Sequence, residues 1–209
     1  MTDSPEPAPP ATVFLVDDDA SFLRSLSRLL RASGYSVVTH ASAREFLESL
    51  RSGARGCVIT DLRMPGMDGM ALQEALTQKG SPLPILFLTG HGDIPVTVQA
   101  MRRGAEDFLT KNAPKEQLLA AVNRALSRNE QEQVERSRRD ALRLRFEMLS
   151  PRECEVLRGV LRGSLNKQIA AELGIHERTV KLHRSGVTQK LGVQSVAELT
   201  RLAQDAGFQ

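Results

Sequence analysis

Five residues of the sequence have the side chains needed for phosphate chemistry: Asp17, Asp18, Asp61, Thr89 and Lys111. Each stands at or just after the end of a short apolar run, which is typical of a buried strand. Neighbouring carboxylates repel one another, and a hard divalent cation such as Mg²⁺ neutralises them through oxygen ligands. Asp61 is then a nucleophile that can form an aspartyl phosphate. The lysine and the threonine can contact the phosphoryl oxygens.

The elements that must position these residues alternate regularly. Between residues 12 and 127, five apolar strand-like runs alternate with helical patterns, which predicts a doubly wound, five-stranded parallel sheet. In such sheets the chemistry gathers at the carboxyl ends of the strands. The five residues should therefore meet at one edge, with a purely structural acidic cluster as the alternative.

The remainder of the chain predicts a helical linker and a small all-α domain. Residues 128–147 are rich in Arg, Glu and Gln, with isolated apolar residues such as Val134, so we expect a solvated helix without a sustained coiled-coil seam. Residues 148–209 predict four helices, the first starting at a capping box formed by Ser150 and Glu153. The helices at residues 166–173 and about 177–191 are typical of a helix-turn-helix.

The composition argues against other classes of protein. No run approaches the roughly 18 apolar residues of a membrane span, and the acidic, Pro-rich residues 1–11 indicate a disordered leader rather than a secretion signal. Cys57 and Cys154 lie far apart and favour a reducing cytoplasm. The net charge is only +3. Its basic excess lies in the C-terminal third, which is the candidate for binding nucleic acid.

Both halves of the chain resemble a known family. Residues 61–69 (DLRMPGMDG) and 88–95 (LTGHGDIP) resemble the receiver domain of two-component response regulators, and residues 164–175 (SLNKQIAAELGI) and 177–184 (ERTVKLHR) resemble the LuxR-type helix-turn-helix. The whole chain is similar to the FixJ-like branch of the NarL/FixJ family. The resemblance implies a flavodoxin-like receiver at residues 12–127 and a DNA-binding domain at 148–209. It also implies a response regulator, not an enzyme, that a sensor histidine kinase phosphorylates.

The resemblance assigns roles to individual receiver residues. Asp61 is the expected phosphoacceptor, and Mg²⁺ or Mn²⁺ is the expected cofactor. The expected metal ligands are Asp18 directly, Asp17 mainly through bound water, Asp61, and the backbone carbonyl of Arg63. The expected phosphoryl contacts and aromatic switch are Thr89, Lys111 and Phe108, with an ordinary core phenylalanine as the alternative for the last.

In the helix-turn-helix, the resemblance implies major-groove base contacts from Lys181 and Leu182, with Ser185 one turn later on the same face. Phosphate contacts, which position the domain without specifying sequence, are expected from Lys167, Thr179 and Arg184. The implied partners are double-stranded DNA at paired half-sites, RNA polymerase, and a second copy of the chain after phosphorylation. The expected outcome is regulated transcription, with activation as the expected direction.

Two positions depart from the family pattern. The family usually has proline after Lys111, often with a cis peptide bond, and this chain has Asn112. A cis bond before a non-proline residue costs about 3 kcal/mol, which puts the placement of Lys111 and the adjoining dimerisation face in question. His176 stands where Ser or Thr usually caps the recognition helix, which predicts a weaker helix start.

Three other functions fit part of the pattern. A phosphatase with a phospho-aspartyl intermediate would require a second aspartate two residues after the nucleophile, where this chain has Arg63. A receptor for acyl-homoserine lactones would require a different, aromatic-rich sensing domain. A DNA-binding protein whose receiver only binds other proteins stays open because of Asn112, although the complete acidic set argues against it.

Overall fold

The computed structural model describes residues 11–90 and 94–208, and the predicted leader at residues 1–11 falls almost wholly outside this range. The chain divides into two compact units, one ending at Gln133 and the other beginning at Val134. The first unit contains five strands and four helices before the long helix α5. They are β1 (Thr12–Val16), α1 (Ala20–Ala32), β2 (Ser36–His40), α2 (Ala43–Ser49), β3 (Gly56–Asp61), α3 (Gly69–Gln78), β4 (Ile85–Thr89), α4 (Ile94–Arg102) and β5 (Asp107–Thr110).

The five strands form one parallel sheet in the order β2-β1-β3-β4-β5. This confirms the predicted doubly wound sheet. Helices cover both faces of the sheet, and the apolar residues of β3 and β4 are buried on both sides, with polar residues only at the carboxyl ends of the two strands. One core cluster includes Leu15, Ile59 and Leu86, and the other includes Phe46 and Phe87.

Two glycines permit close packing around β3. The backbone of Gly56 has φ +137°, and a Cβ atom there would lie 1.7 Å from the carbonyl oxygen of Thr12 on β1. A Cβ atom at Gly69 would lie 2.3 Å from the carbonyl oxygen of Asp61. Any side chain at Gly69 would therefore push α3 away from the end of β3.

Helix α5 (Lys115–Glu147) runs without interruption through the predicted linker. Asn129 is buried, and its side chain accepts a hydrogen bond from the Gly56 N–H (2.9 Å) and donates one to the Pro82 carbonyl (2.8 Å). Leu142 and Phe146 are also buried, and Phe146 lies in the core of the second unit. The interpretation of residues 128–147 as a solvated spacer is therefore wrong at both ends, because its first and last turns belong to the packed units.

The second unit adds four helices to the end of α5: α6 (Pro151–Leu161), α7 (Asn166–Leu173), α8 (Glu177–Leu191) and α9 (Val196–Ala206). The predicted capping box at Ser150 and Glu153 is confirmed, with both reciprocal hydrogen bonds present. Helix α7 ends at Gly174 in the left-handed conformation, which turns the chain into α8. His176 makes no side-chain cap hydrogen bond at the start of α8, which supports the prediction of a weaker helix start.

Among residues 11–90 and 94–208, no helix combines the length and apolarity that crossing a membrane would require.

Candidate functional site

Three carboxylates meet at the carboxyl edge of the sheet. Each of Asp17, Asp18 and Asp61 offers an oxygen, and these oxygens lie within 4.8 Å of one another. The strand register causes this arrangement, because Val16 of β1 pairs with Thr60 of β3 and each is followed by an aspartate. Asp17 is buried, Asp61 is half-buried and Asp18 is exposed. The cluster therefore opens to solvent on the Asp18 side.

Lys111 reaches both of the less exposed carboxylates. Its Nζ lies 2.8 Å from Asp61 Oδ2 in a hydrogen bond and 2.6 Å from Asp17 Oδ2 in a charge contact that lacks hydrogen-bond geometry. The Lys111 backbone N–H donates to the Thr89 carbonyl at 2.8 Å, which fixes the lysine beside the end of β4. Every described peptide bond is trans, including the one before Asn112. Lys111 thus reaches the carboxylates with a trans bond at this position.

The Lys111 ammonium also lies over the ring of Phe22 in α1, 4.4 Å from its centroid. A cation so placed is attracted by the negative face of the ring. From the sequence, Phe22 is only one of the apolar residues on the buried face of α1. It follows the aspartates by one helical turn, which places it near the carboxylate cluster. Its contact with Lys111 could not be predicted, because the two residues are 89 positions apart.

Burial and charge act in opposite directions within this cluster. Burial raises the pKa of Asp17, and the nearby Lys111 and the Asp19 N–H only partly offset this effect. For Lys111, burial lowers the pKa, but the close negative charges of Asp17 and Asp61 outweigh it and leave the pKa raised. The site therefore holds a charged lysine beside more negative charge than that lysine can neutralise.

The oxygen atoms of the cluster form a donor set suited to a divalent metal ion. Asp17 Oδ1 accepts the Asp19 N–H at 2.9 Å, and Asp61 Oδ1 accepts the Arg63 N–H at 3.3 Å, so both carboxylates are held in orientation. Hard cations bind such clustered carboxylate oxygens. The Arg63 side chain is exposed, and it is the Arg63 backbone N–H that contacts the Asp61 carboxylate.

Two further predicted residues flank the cluster along the sheet. Thr89 ends β4 and is only 3% exposed. Phe108 on β5 pairs in register with Phe87, and their ring centroids lie 5.9 Å apart. Phe108 is half-buried and packs against the core cluster that contains Phe87.

The predicted DNA-contacting residues lie on α7 and α8, and their side chains differ in how exposed they are. Lys167, Lys181, Leu182 and Ser185 are exposed, and Leu182 is 70% exposed although it is apolar. Lys181 forms an ion pair with Glu177 one turn earlier (3.3 Å). Thr179 and Arg184 are half-buried.

Arg184 has a hydrogen-bond partner on the neighbouring helix of its domain. Its Nη1 donates to Asn166 Oδ1 at 2.7 Å, which links the recognition helix α8 to the start of α7. This contact joins the two helices of the helix-turn-helix. The prediction of a phosphate contact did not anticipate it.

A second lysine–carboxylate pair joins the exposed Lys190 of α8 to the buried Glu153. Lys190 Nζ is 2.6 Å from Glu153 Oε2, which also accepts the Ser150 N–H at 2.7 Å. The hydrogen bond from Lys190, followed by the one from the Ser150 backbone, lowers the pKa of Glu153 to about 2. This pair connects α8 to the start of α6.

Comparisons with known proteins cover both units. A family model described as response regulator receiver domain matches residues 13–123, and one described as bacterial regulatory proteins, luxR family, matches residues 147–203. The chain is 43% identical to the response regulator protein TodT of Pseudomonas putida over 194 residues, covering 93% of this chain and 86% of the relative. It is 40% identical to the transcriptional regulatory protein FixJ of Bradyrhizobium diazoefficiens over 196 residues, covering 94% and 96%. The structure of the response regulator StyR is similar, with a TM-score of 0.82 and 46% identity, covering 94% of this chain and 99% of that one.

Proposed function

Because this chain belongs to the FixJ-like response regulators, which join a receiver to a LuxR-type DNA-binding domain and are transcription regulators rather than enzymes, we propose that phosphorylation of Asp61 controls its binding to DNA. A sensor histidine kinase is the phosphoryl donor. The phosphorus–nitrogen bond of the phosphohistidine breaks as a bond forms between phosphorus and an Asp61 carboxylate oxygen. The proposed compartment is the cytoplasm, because both the kinase domain and the DNA must be reached there.

The carboxylate cluster with Lys111 supports this proposal most directly. Lys111 holds Asp61 Oδ2 at 2.8 Å and can stabilise negative charge on a phosphoryl group at that oxygen. Thr89 ends the neighbouring strand β4 and is proposed to contact the same group. Asp17, Asp18, Asp61 and the Arg63 carbonyl would hold Mg²⁺ or Mn²⁺. The bound ion supplies neutralising charge for the transferring group.

The exposed face of α4 supports a dimer as the active form. Ile94, Val98 and Met101 are 78%, 52% and 43% exposed and follow one side of the helix at helical spacing. Phe108, on the adjoining strand β5, is the proposed switch that links Thr89 to this face. Phosphorylation adds about −1.5 to −2 charge and strong hydrogen-bond acceptors, and we expect it to favour pairing of two such faces.

The exposed residues of α7 and α8 support recognition of paired half-sites. Lys181 and Leu182 are proposed to contact base edges, with Ser185 beside them. Lys167, Thr179 and Arg184 are proposed to contact phosphates. RNA polymerase is the proposed downstream partner, with activation as the proposed direction.

The proposed function is tested by incubating the full chain with acetyl phosphate and Mg²⁺ and comparing it with Asp61→Asn. Wild type should incorporate phosphate, dimerise and bind a half-site pair more tightly, and Asp61→Asn should do none of these. Asp205→Asn, which removes an exposed acid of the second unit, is the matched control and should behave as wild type. DNA affinity that is equal with and without incorporated phosphate would contradict the proposal.

A further inference from the structure

Helix α5 and the residue after it carry a stripe of exposed, mostly apolar side chains that belong to no core cluster of the second unit. Val134 is 64% exposed, Leu144 is 62% exposed, and Met148, immediately after the helix, is 58% exposed. Ser137 and Ala141 between them are exposed as well. The five residues, which we name the linker seam, are spaced alternately by three and four positions, as in the a and d positions of a coiled coil.

The linker seam is a different face from the one that joins α5 to its domain. Phe146 and Leu149 are buried in the core formed with α6 to α9, and Leu142 is buried as well. The Arg145 guanidinium donates to the Leu191 carbonyl at the end of α8. The end of α5 is therefore fixed on the DNA-binding domain by one side, and the linker seam is left on another.

The charges flanking the linker seam are sorted by sign. On one side, in the g positions, stand the acids Asp140 and Glu147, and on the other side, in the e positions, stand the bases Arg138 and Arg145. In a parallel in-register pair of helices, each g residue faces the e residue five positions later on its partner. Asp140 of each chain would then face the partner's Arg145. In an antiparallel pair, like charges would face each other instead.

We propose that the linker seam pairs with the same seam of a second copy of this chain, as a short parallel coiled coil. Valine at an a position and leucine at a d position favour two strands. Arg145 can serve both contacts, because a guanidinium carries five N–H donors and the Leu191 carbonyl engages only Nη2. Pairing here would place two DNA-binding domains side by side, as paired half-sites require.

The coil is too short and too poor in large residues to hold a dimer by itself. It spans two heptads, and Ser137 and Ala141 fill two of its core positions, whereas isolated helices of this length are only marginally stable. Pairing therefore depends on a second contact that raises the local concentration of the two helices. In this respect the inference rests on the proposed function, since dimerisation of phosphorylated receivers supplies that contact.

Disulfide crosslinking tests the register and the direction of the helices. Both test variants are made in the full-length chain with Cys154→Ala. Leu144→Cys is oxidised with and without acetyl phosphate and Mg²⁺. The control is Arg143→Cys, because Arg143 is exposed on the same helix but lies outside the linker seam. Leu144→Cys should form interchain disulfides at least about 10-fold faster than Arg143→Cys once phosphorylated, because only seam positions face each other in register. Equal rates for the two variants would overturn the proposal.

Sedimentation of the phosphorylated full chain gives an independent readout. Leu144→Glu should raise the dimer dissociation constant at least about 10-fold, because pairing would bury two facing charges, and Arg139→Glu on the outer side should change it little. An unchanged constant in Leu144→Glu would overturn the coil. Phosphate incorporation is measured in the same samples. Normal phosphate incorporation with no difference in crosslinking rate or dissociation constant would overturn the coiled coil but not the proposed function. Absence of phosphate incorporation would overturn the proposed function.

Discussion

Each unit contains a lysine 2.6 Å from a buried carboxylate, but the two sites differ in their charge balance. In the receiver, Lys111 faces both Asp17 and Asp61, with Asp18 nearby, and the pKa of Asp17 is raised, mainly by burial. In the DNA-binding unit, Lys190 faces Glu153 alone, and the pKa of that glutamate falls to about 2.

The difference shows how similar pairs serve different purposes. Glu153 gains Lys190 and the Ser150 N–H as partners, so its charge is satisfied and the contact stabilises the fold. The receiver cluster keeps an excess of negative charge beside one lysine, a condition that favours binding of a cation. Both sites bring a lysine close to a carboxylate, and the number of carboxylates per lysine is the feature in which they differ.

The largest expected contrast comes from neutralising one acid in each site. Asp61→Asn should abolish phosphate incorporation, a loss of at least about 100-fold for a nucleophile, and should leave the free energy of unfolding equal or higher, because Asp17 loses a repelling neighbour. Glu153→Gln should keep incorporation and lower the free energy of unfolding by about 1–3 kcal/mol. Phosphate incorporation and urea denaturation measure the two effects. Loss of stability in both variants would show that the two sites do not differ as described.

Two glycines extend the comparison to packing. Gly69→Ala places a methyl group 2.3 Å from the backbone oxygen of Asp61, and Gly186→Ala places one 2.7 Å from the side-chain oxygen of Glu153. Backbone cannot move aside as a side-chain end can, so Gly69→Ala should cost about 3 kcal/mol. Gly186→Ala should cost less than about 1 kcal/mol, because alanine favours the helix. Thermal unfolding ranks the two, and the reverse order would contradict this account.

The two sites should also differ in how they make the free energy of unfolding depend on pH. The pKa of Glu153 is lower in the folded chain, about 2 against 4.5, so its stabilising contribution is full above pH 4.5 and is lost as pH falls towards 2. Asp17 has a raised pKa and contributes in the opposite direction. Glu153→Gln should therefore flatten the loss of stability between pH 4.5 and 2, measured by urea denaturation. The exposed-acid control Glu130→Gln should retain the wild-type slope, and a slope unchanged in Glu153→Gln would refute the assignment.

The smallest effect concerns the start of the recognition helix. Ser195 caps α9 through its side chain, whereas His176 gives α8 no such bond. His176→Ser should raise the free energy of unfolding by about 0.5–1 kcal/mol, and Ser195→Ala should lower it by a similar amount. Chemical denaturation of the two single variants provides the test. Destabilisation by His176→Ser would mean that the histidine makes a contribution other than capping.

Local patterns made the sheet and the acidic edge predictable. An apolar strand followed by an aspartate is visible in the sequence, and parallel topology then brings Asp17 and Asp61 to one edge. Capping at Ser150 and the weak start at His176 also depend only on residues within a few positions.

Contacts between distant segments could not be predicted in the same way. The approach of Gly69 to Asp61, the ring of Phe22 beneath Lys111, and the bonds of Asn129 arise only after the elements have packed. The linker was misjudged for the same reason. Its buried apolar residues, Leu142 and Phe146, are too sparse to form a pattern, and the ring of Phe146 stacks on Phe208, which lies far along the chain.

Asn129 has a practical consequence for exchanging modules between proteins. If the receiver were cut at residue 127, where the predicted receiver domain ends, the Gly56 N–H and the Pro82 carbonyl would lose their partner Asn129. A chimera that grafts this receiver onto another output domain should therefore keep the chain through at least Gln133. A graft of this DNA-binding domain should in turn begin upstream of Leu142. The usable splice point is the short span of α5 between these two anchors.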